Sequence, residues 1–246
     1  MPYILGVKVD SVTCAQALVR VEDMLGDGGQ HIITTPNPEF IVAAQRDSQF
    51  RAILNRASLA LPDGVGLMLA SRLLGTPLQE RIAGSDFVLD IARIAAERGH
   101  TMYLFGSRGE VAQRAAKKLQ SQFPNLKIVG ADPGPEPTDL PTTSYSLHTL
   151  QDAAPDILFV ALGHGKQEKW IAEHLSELPS VKIAMGVGGA FDFIAGKIQR
   201  APRLFQLLGM EWLWRLLRQP KRLPRIFRAV VVFPLLVCRA CCRIRF

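Results

Sequence analysis

Residues 85–106 read SDFVLDIARIAAERGHTMYLFG, and two periods meet inside them. Phe87, Ile91, Ile94 and Ala95 recur at the spacing of one helix face, with Ser85 or Asp86 in the N-cap position and Gly99 as the stop. Met102 to Phe105 then form a short apolar run of strand length. A helix feeding a strand is half of a βαβ unit, and the same grammar extends both ways along the chain. Upstream lie a strand at Ile4 to Val9, a helix from about Thr13 to Leu25 and a strand at His31 to Thr35. Further strands are expected at Ser58 to Leu61, Lys127 to Val129, Ile157 to Leu162 and Val181 to Met185, each followed by a turn rich in Gly, Pro or Asp. The fold class is α/β, a Rossmann-like, mostly parallel sheet covered by helices.

The 246 residues are 48% hydrophobic and 21% charged, which excludes disordered and collagen-like classes and suffices for one sizeable core. Residues 131–144, ADPGPEPTDLPTTS, carry four prolines and no apolar period, and are read as a connection before the second half of the sheet. Charge divides the chain further. Residues 200–246 hold eleven Lys or Arg against the single acid Glu211, whereas residues 1–199 are mildly acidic. We therefore expect a catalytic α/β body over 1–199 and a basic, amphipathic helical appendage over 200–246, suited to an anionic membrane surface or to nucleic acid.

The first ten residues, MPYILGVKVD, lack the basic and long apolar regions of a signal peptide, so a cytoplasmic location is expected. Four cysteines, Cys14 and the cluster Cys238, Cys241 and Cys242, imply no disulfide framework. The apolar run Ala229 to Cys238 is ten residues broken by Pro234, and about twenty are needed to span a bilayer. It suits the membrane interface instead.

In open α/β sheets ligands bind beyond the carboxyl ends of the strands, so the polar residues after each apolar run are the candidates. Thr35 and Asn37 follow the His31 strand, where Thr-Pro-Asn-Pro is equally good helix-start grammar. Asp63 follows the Ser58 strand as a candidate general base, although Asp-Gly is also a common turn pair. Gly163 to Glu168 open a helix, which places backbone N–H groups and Gln167 at an anion-binding terminus. Gly186-x-Gly188-Gly189 resembles a nucleotide loop, but Phe191 stands where a dinucleotide fingerprint needs a small residue, which excludes NAD. Arg81, shortly before the Asp86 helix, offers a guanidinium to a diphosphate. The five histidines are dispersed and Cys238-x-x-Cys241 has no second pair, so no metal site is expected.

Together, TxNPE at 35–39, DGVG at 63–66, RxxGSD at 81–86, KQE at 166–168, GVGGAFDF at 186–193, RAP at 200–202 and EWLWRLLRQPKR at 211–222 closely resemble the WecG/TagA/CpsF glycosyltransferase family. The resemblance spans roughly residues 3–225, with order and spacing agreeing throughout. It implies transfer of N-acetylmannosamine or its uronic acid from a UDP donor to a polyprenyl-diphosphate-linked N-acetylglucosamine, at the inner face of a bacterial membrane. Carried over by position, the catalytic base falls on Asp63, the site-lining threonine and asparagine on Thr35 and Asn37, and the arginine on Arg81. The donor-binding glutamine falls on Gln167 and the appendage arginines on Arg215, Arg222 and Arg225, and Gly186 and Gly188 of the GVGG turn are expected to bind substrate as well. The chain departs from the family at Gly165, where proline is usual.

The resemblance implies metal independence and no cofactor, and the sequence has no Asp-x-Asp clamp. Stabilisation of the departing UDP is instead assigned to Arg81, to N–H groups near Gln167 and to the tail arginines. The expected partners are a UDP-sugar, the lipid-linked acceptor and the cytoplasmic membrane surface; self-association into a homo-oligomer is compatible with this reading. The competing reading is a nucleic-acid-binding protein with a basic tail. Against it, Val230 to Val237 would be idle on a duplex and useful in lipid.

Overall fold

A computed structural model describes residues 2–134, 142–199, 201, 202, 205 and 211–244. After a short N-terminal hairpin, β1 (Tyr3–Ile4) and β2 (Val7–Lys8), the chain runs through α1 (Cys14–Gly26), β3 (His31–Thr34), α2 (Pro38–Ala44), α3 (Ser48–Arg56), β4 (Leu59–Ala60) and α4 (Val65–Leu73). It continues through α5 (Gly84–Arg98), β5 (Thr101–Gly106), α6 (Val111–Gln122), β6 (Lys127–Asp132), α7 (Thr142–Ala153), β7 (Ile157–Ala161), α8 (Lys166–His174), β8 (Ile183–Gly186) and α9 (Ala190–Ile194). The tail comprises α10 (Glu211–Arg218), a short 3₁₀ turn, α11 (Leu223–Phe227), a π-helical turn over Arg228–Val232 and α12 (Phe233–Ile244).

Six strands form one all-parallel sheet in the order β4-β3-β8-β7-β5-β6. Alternation along the strands sorts the core into two layers. Met102 and Leu104 of β5, with Ile157 and Phe159 of β7, face a cluster that includes Val21, Phe87, Ile91 and Leu119 from α1, α5 and α6. Tyr103, Phe105, Leu158 and Val160 face the opposite cluster, against Leu150, Ile171 and Leu175. Both faces are thus covered, as a parallel sheet requires.

The cap of α5 differs from expectation. The helix begins at Gly84, with Ala83 as N-cap and no side-chain cap bond. Asp86 consequently lies in the first turn, where its charge meets the positive end of the helix dipole. Gly99 ends the helix in the left-handed region at φ 78°. The proline-rich connection gives way to α7 already at Thr142.

The run Ile4 to Val9 is not a strand of the main sheet. It folds back at Leu5 and Gly6, both left-handed (φ 48° and 81°), so that β1 and β2 pair antiparallel in a sheet of their own. Ile4 and Val7 are buried with Phe40, Ile41, Phe50 and Leu54 in a third cluster. Beyond β2, Asp10 covers the edge of β4: its N–H donates to the Ala60 carbonyl, and its Oδ2 accepts from Ala60 N, each at 2.8 Å.

That third cluster also receives the tail. Phe233 and Val237, one helical turn apart on α12, are 1% and 2% exposed, whereas Leu235 between them is 59% exposed. The apolar run is therefore divided, one face packing on α2 and α4 and the other open. Phe→Ala in a core costs about 3–5 kcal/mol. Phe233→Ala is accordingly expected to lower stability by about 3 kcal/mol in denaturant unfolding, and Leu235→Ala to change it by under about 0.5 kcal/mol; equal effects would contradict the packing.

Candidate active site

Parallel strands deliver all their carboxyl ends to one edge, and there the loops after β3, β4, β7 and β8 surround two adjoining cavities. The β3 loop begins with Thr35, nine-tenths buried against the start of α5: a Cβ on Gly84 would lie 3.0 Å from Thr35 Cγ2. Asn37 Oδ1 accepts from Phe40 N at 3.1 Å, capping α2, and Pro38 occupies the first helical position. The side-chain oxygen of Asn37 is thus engaged in the cap while its amide nitrogen remains for a ligand. Asp63 is held by its backbone, which donates to the Pro36 carbonyl at 3.0 Å, while Ile82 N donates to the Pro62 carbonyl. Gly64 follows at φ 98° and starts α4.

The first cavity, about 620 Å³, is polar. Thr35, Asn37, Asp63, Gln167, Gly186 and Gly188 all line it. The start of α8 points backbone N–H groups there, with Lys166 close by. The second cavity, about 460 Å³, is largely apolar, walled by Val65, Leu69, Phe193, Trp212, Trp214 and Val230. Both share Asn37, Glu39, Asp63, Ser85, Arg222 and Arg225. Asp63 therefore stands on the wall between a polar chamber and an apolar groove.

Arg225 is fixed by a two-pronged ion pair, its Nε and Nη2 each donating at 3.0 Å to one oxygen of Glu39. The pair ties α11 to the first turn of α2. Arg222 approaches the opposite loop, with its Nη2 3.8 Å from where a Gly189 Cβ would stand. Behind them Trp214 donates to the Gln199 carbonyl at 3.3 Å, and the Arg218 guanidinium lies over its ring at 4.9 Å.

Two titratable groups here are displaced from their ordinary range. Burial lowers the His164 imidazole, partly offset by the Glu39 carboxylate; its ring stands edge-on to Phe40 at 4.4 Å, and its Nε2 is buried without a hydrogen-bond partner. Burial pushes Glu168 the other way, up to about 7, against the pull of its bonds from Gln167 and Gly165.

The structure brings Thr35, Asn37, Asp63, Gln167, Gly186, Gly188, Arg222 and Arg225 to the first cavity. Arg81 lines the second, adjoining cavity. The Arg215 side chain lies outside the described residues. Glu39 and Glu168 were not among the expected site residues. Glu39 pairs with an arginine 186 positions away, a contact that carries no local signal, whereas Glu168 sat inside the KQE motif and reads locally as a helix-start acid. Among the described residues no three His, Cys, Asp or Glu side chains converge as a metal site, and no helix is long and apolar enough to cross a membrane.

An α/β sheet with cavities at its loop edge serves many kinds of enzyme, and comparison with known proteins gives the family. Residues 2–245 match the Glycosyl transferase WecG/TagA/CpsF family, and the chain belongs to it. It is a glycosyltransferase. A Bacillus subtilis relative named N-acetylglucosaminyldiphosphoundecaprenol N-acetyl-beta-D-mannosaminyltransferase is 34% identical over 195 residues, 79% of this chain and 74% of the relative. A Staphylococcus aureus protein of the same name is 30% identical over 239 residues, 96% of this chain and 92% of its own.

The raised Glu168 carboxyl makes stability pH-dependent. Between about 4.5, its ordinary value, and about 7 the folded state keeps a proton that the unfolded chain releases. Its contribution is full below that window and is lost as pH rises through it, by about 3 kcal/mol. Denaturant unfolding at pH 5 and pH 8 should show wild type losing about that much more stability than Glu168→Gln; parallel behaviour would mean that Glu168 is not buried.

Proposed function

We propose that this glycosyltransferase is an inverting enzyme that moves N-acetylmannosamine, or a related N-acetyl or uronic sugar, from a UDP donor to polyprenyl-diphosphate-linked N-acetylglucosamine. One observation carries the reading: a polar chamber fit for a nucleotide sugar and an apolar groove fit for a lipid-linked acceptor meet at the Asp63 carboxylate. The names of the B. subtilis and S. aureus relatives agree with the sugar and the acceptor.

In the first chamber the donor diphosphate sits against the start of α8, the Gly186 to Gly189 loop, Arg222 and Arg225, while Thr35, Asn37 and Gln167 hold the sugar and nucleotide. The acceptor enters by the second cavity, with its diphosphate near Arg81 and its lipid along Leu69, Trp212 and Val230. Asp63 takes the proton from the acceptor hydroxyl as its oxygen attacks the anomeric carbon. The carbon–phosphate oxygen bond breaks on the opposite face. Negative charge growing on UDP then meets arginines and backbone N–H groups already in place, with little reorganisation.

Residues 200–246 form the appendage in this reading, completing both cavities through Arg222 and Arg225, with Arg215 assigned to the same diphosphates. Exposed Leu217, Leu223, Phe227 and Leu235, interspersed with arginines, meet the headgroup layer of the cytoplasmic leaflet.

Asp63→Asn removes the base with little change of size. Transfer to a short-chain lipid-diphosphate N-acetylglucosamine is expected to fall by about 10²- to 10⁴-fold while UDP binding stays at the wild-type level. Near-normal turnover in the pure variant would reject Asp63 as the base.

A further inference from the structure

Glu168 is 2% exposed, yet both of its oxygens are occupied. Its Oε2 accepts from Gly165 N at 2.8 Å, and its Oε1 accepts from Gln167 Nε2 at 2.7 Å. The far side of the Gln167 amide, Oε1, accepts from Gly188 N at 3.0 Å. A chain of three hydrogen bonds therefore runs from the loop after β7, through two adjacent buried side chains, to the loop after β8. A β-carbon on Gly186 would lie 2.5 Å from Gln167 Nε2 and 2.7 Å from Glu168 Oε1, so the pair fits only against bare backbone.

The chemistry of the partners fixes the orientation of the amide. Gly188 N–H can only donate and an ionised carboxylate can only accept, so Gln167 must present oxygen to the first and nitrogen to the second. Turning the amide over sets donor against donor and acceptor against acceptor. A helix cap alone needs one oxygen of a solvated acid, whereas here the carboxylate is sequestered at a cost and its second oxygen is spent on Gln167. We propose that Glu168 is a positioning residue for the donor: its carboxylate sets the Gln167 amide and locks the β7 and β8 loops in the arrangement that receives the nucleotide sugar. The proposal rests on reading the first cavity as the donor chamber.

Two donors converge on Glu168, one on each oxygen, and the ionised carboxylate serves both best. Protonation turns one of these oxygens into a hydroxyl, a weaker acceptor whose own proton needs a partner, and replacement by an amide leaves one donor facing an N–H. Because burial brings this group near neutrality, donor affinity should weaken as pH falls from 8 to 6. The charged side chains on the surrounding elements do not reproduce that effect. On α8 and the turn after it, Lys169 pairs with Asp47 from the start of α3, and His174 pairs with Glu177. Lys166 and Glu173 of α8, Arg51 and Arg56 of α3, Glu39 of α2, and Asp192 of α9, which pairs with Lys197, are the other charged groups there, while β7 and β8 carry no charged residue. His164, held below its ordinary value, gains charge on acidification and would strengthen diphosphate binding, the opposite sign.

The test is calorimetric binding of UDP-N-acetylmannosamine, whose diphosphate has no group titrating near neutrality, to the full chain at pH 8 and pH 6. Wild type is expected to lose about three- to tenfold in affinity on acidification, the worth of about one hydrogen bond. Glu168→Gln should show that loss already at pH 8, with no further fall at pH 6; in transfer assays KM for the donor should rise with kcat within about twofold. In a Gln167→Ala background, adding Glu168→Gln should change nothing more, because Glu168 acts through Gln167.

Wild-type affinity in Glu168→Gln, or a further loss on top of Gln167→Ala, would overturn the positioning role and leave the donor chamber standing. No binding by wild type at either pH would overturn the chamber itself. Should the Glu168 variant fail to fold, wild type and Gln167→Ala decide alone: a flat pH response in the first, or an undiminished one in the second, overturns the proposal.

Discussion

Ile33 lies beside Met185 where β3 pairs with β8, and that parallel register sets residues from opposite ends of the body side by side at one edge of the sheet. Thr35, two residues beyond Ile33, and Gly186, next after Met185, consequently reach the same chamber. β4 and β7 flank the pair and add Asp63 on one side and the start of α8 on the other. Slipping β3 by one residue would turn Ile33 into the opposite helical layer and shift Thr35 away from Gly186, so packing and site geometry are secured by the same contact.

The site combines two media. The cavity proposed for the donor is lined by backbone N–H groups, an amide and guanidinium groups. The cavity proposed for the acceptor is apolar, with Trp212 and Val230 from the tail lining it together with Leu69 of α4. The tail reaches this place because Phe233 and Val237 dock in the cluster formed by α2, α3, α4 and the N-terminal hairpin. The Glu39–Arg225 pair then fixes the arginine at the boundary. Packing energy from apolar residues thus places a cation on the wall shared by the two cavities, a link between core and site that neither charge nor hydrophobicity shows alone.

Much of this was legible along the chain. The helix at residues 84–98 and the strand after it carry their periods openly, and Asn37-Pro38 carries the start of α2. The loop residues could be named because parallel strands oblige function to gather at one edge. Other features are long-range by nature. Ile4 to Val9 is apolar whether it enters the main sheet or folds on itself, and the reversal depends on Leu5 accepting a left-handed conformation that its side chain does not favour. Val230 to Val237 reads as lipid-facing because hydropathy does not distinguish a bilayer from a protein core; the structure buries Phe233 and Val237 and leaves Leu235 open. Arg81 reads from the sequence as a guanidinium for a diphosphate, and the structure sets it on the lining of the second cavity, a placement that no local pattern carries.

The central claim is a single displacement at the wall between the two cavities, driven by one carboxylate. The anomeric configuration of the first product tests it most directly, read by NMR from the one-bond C–H coupling after transfer from UDP-N-acetyl-α-D-mannosamine to a soluble acceptor analogue. Attack from the Asp63 side, with UDP leaving from the other, gives a β-linked product. An α-linked product would require two successive displacements or attack on the face from which UDP departs, and would contradict the account.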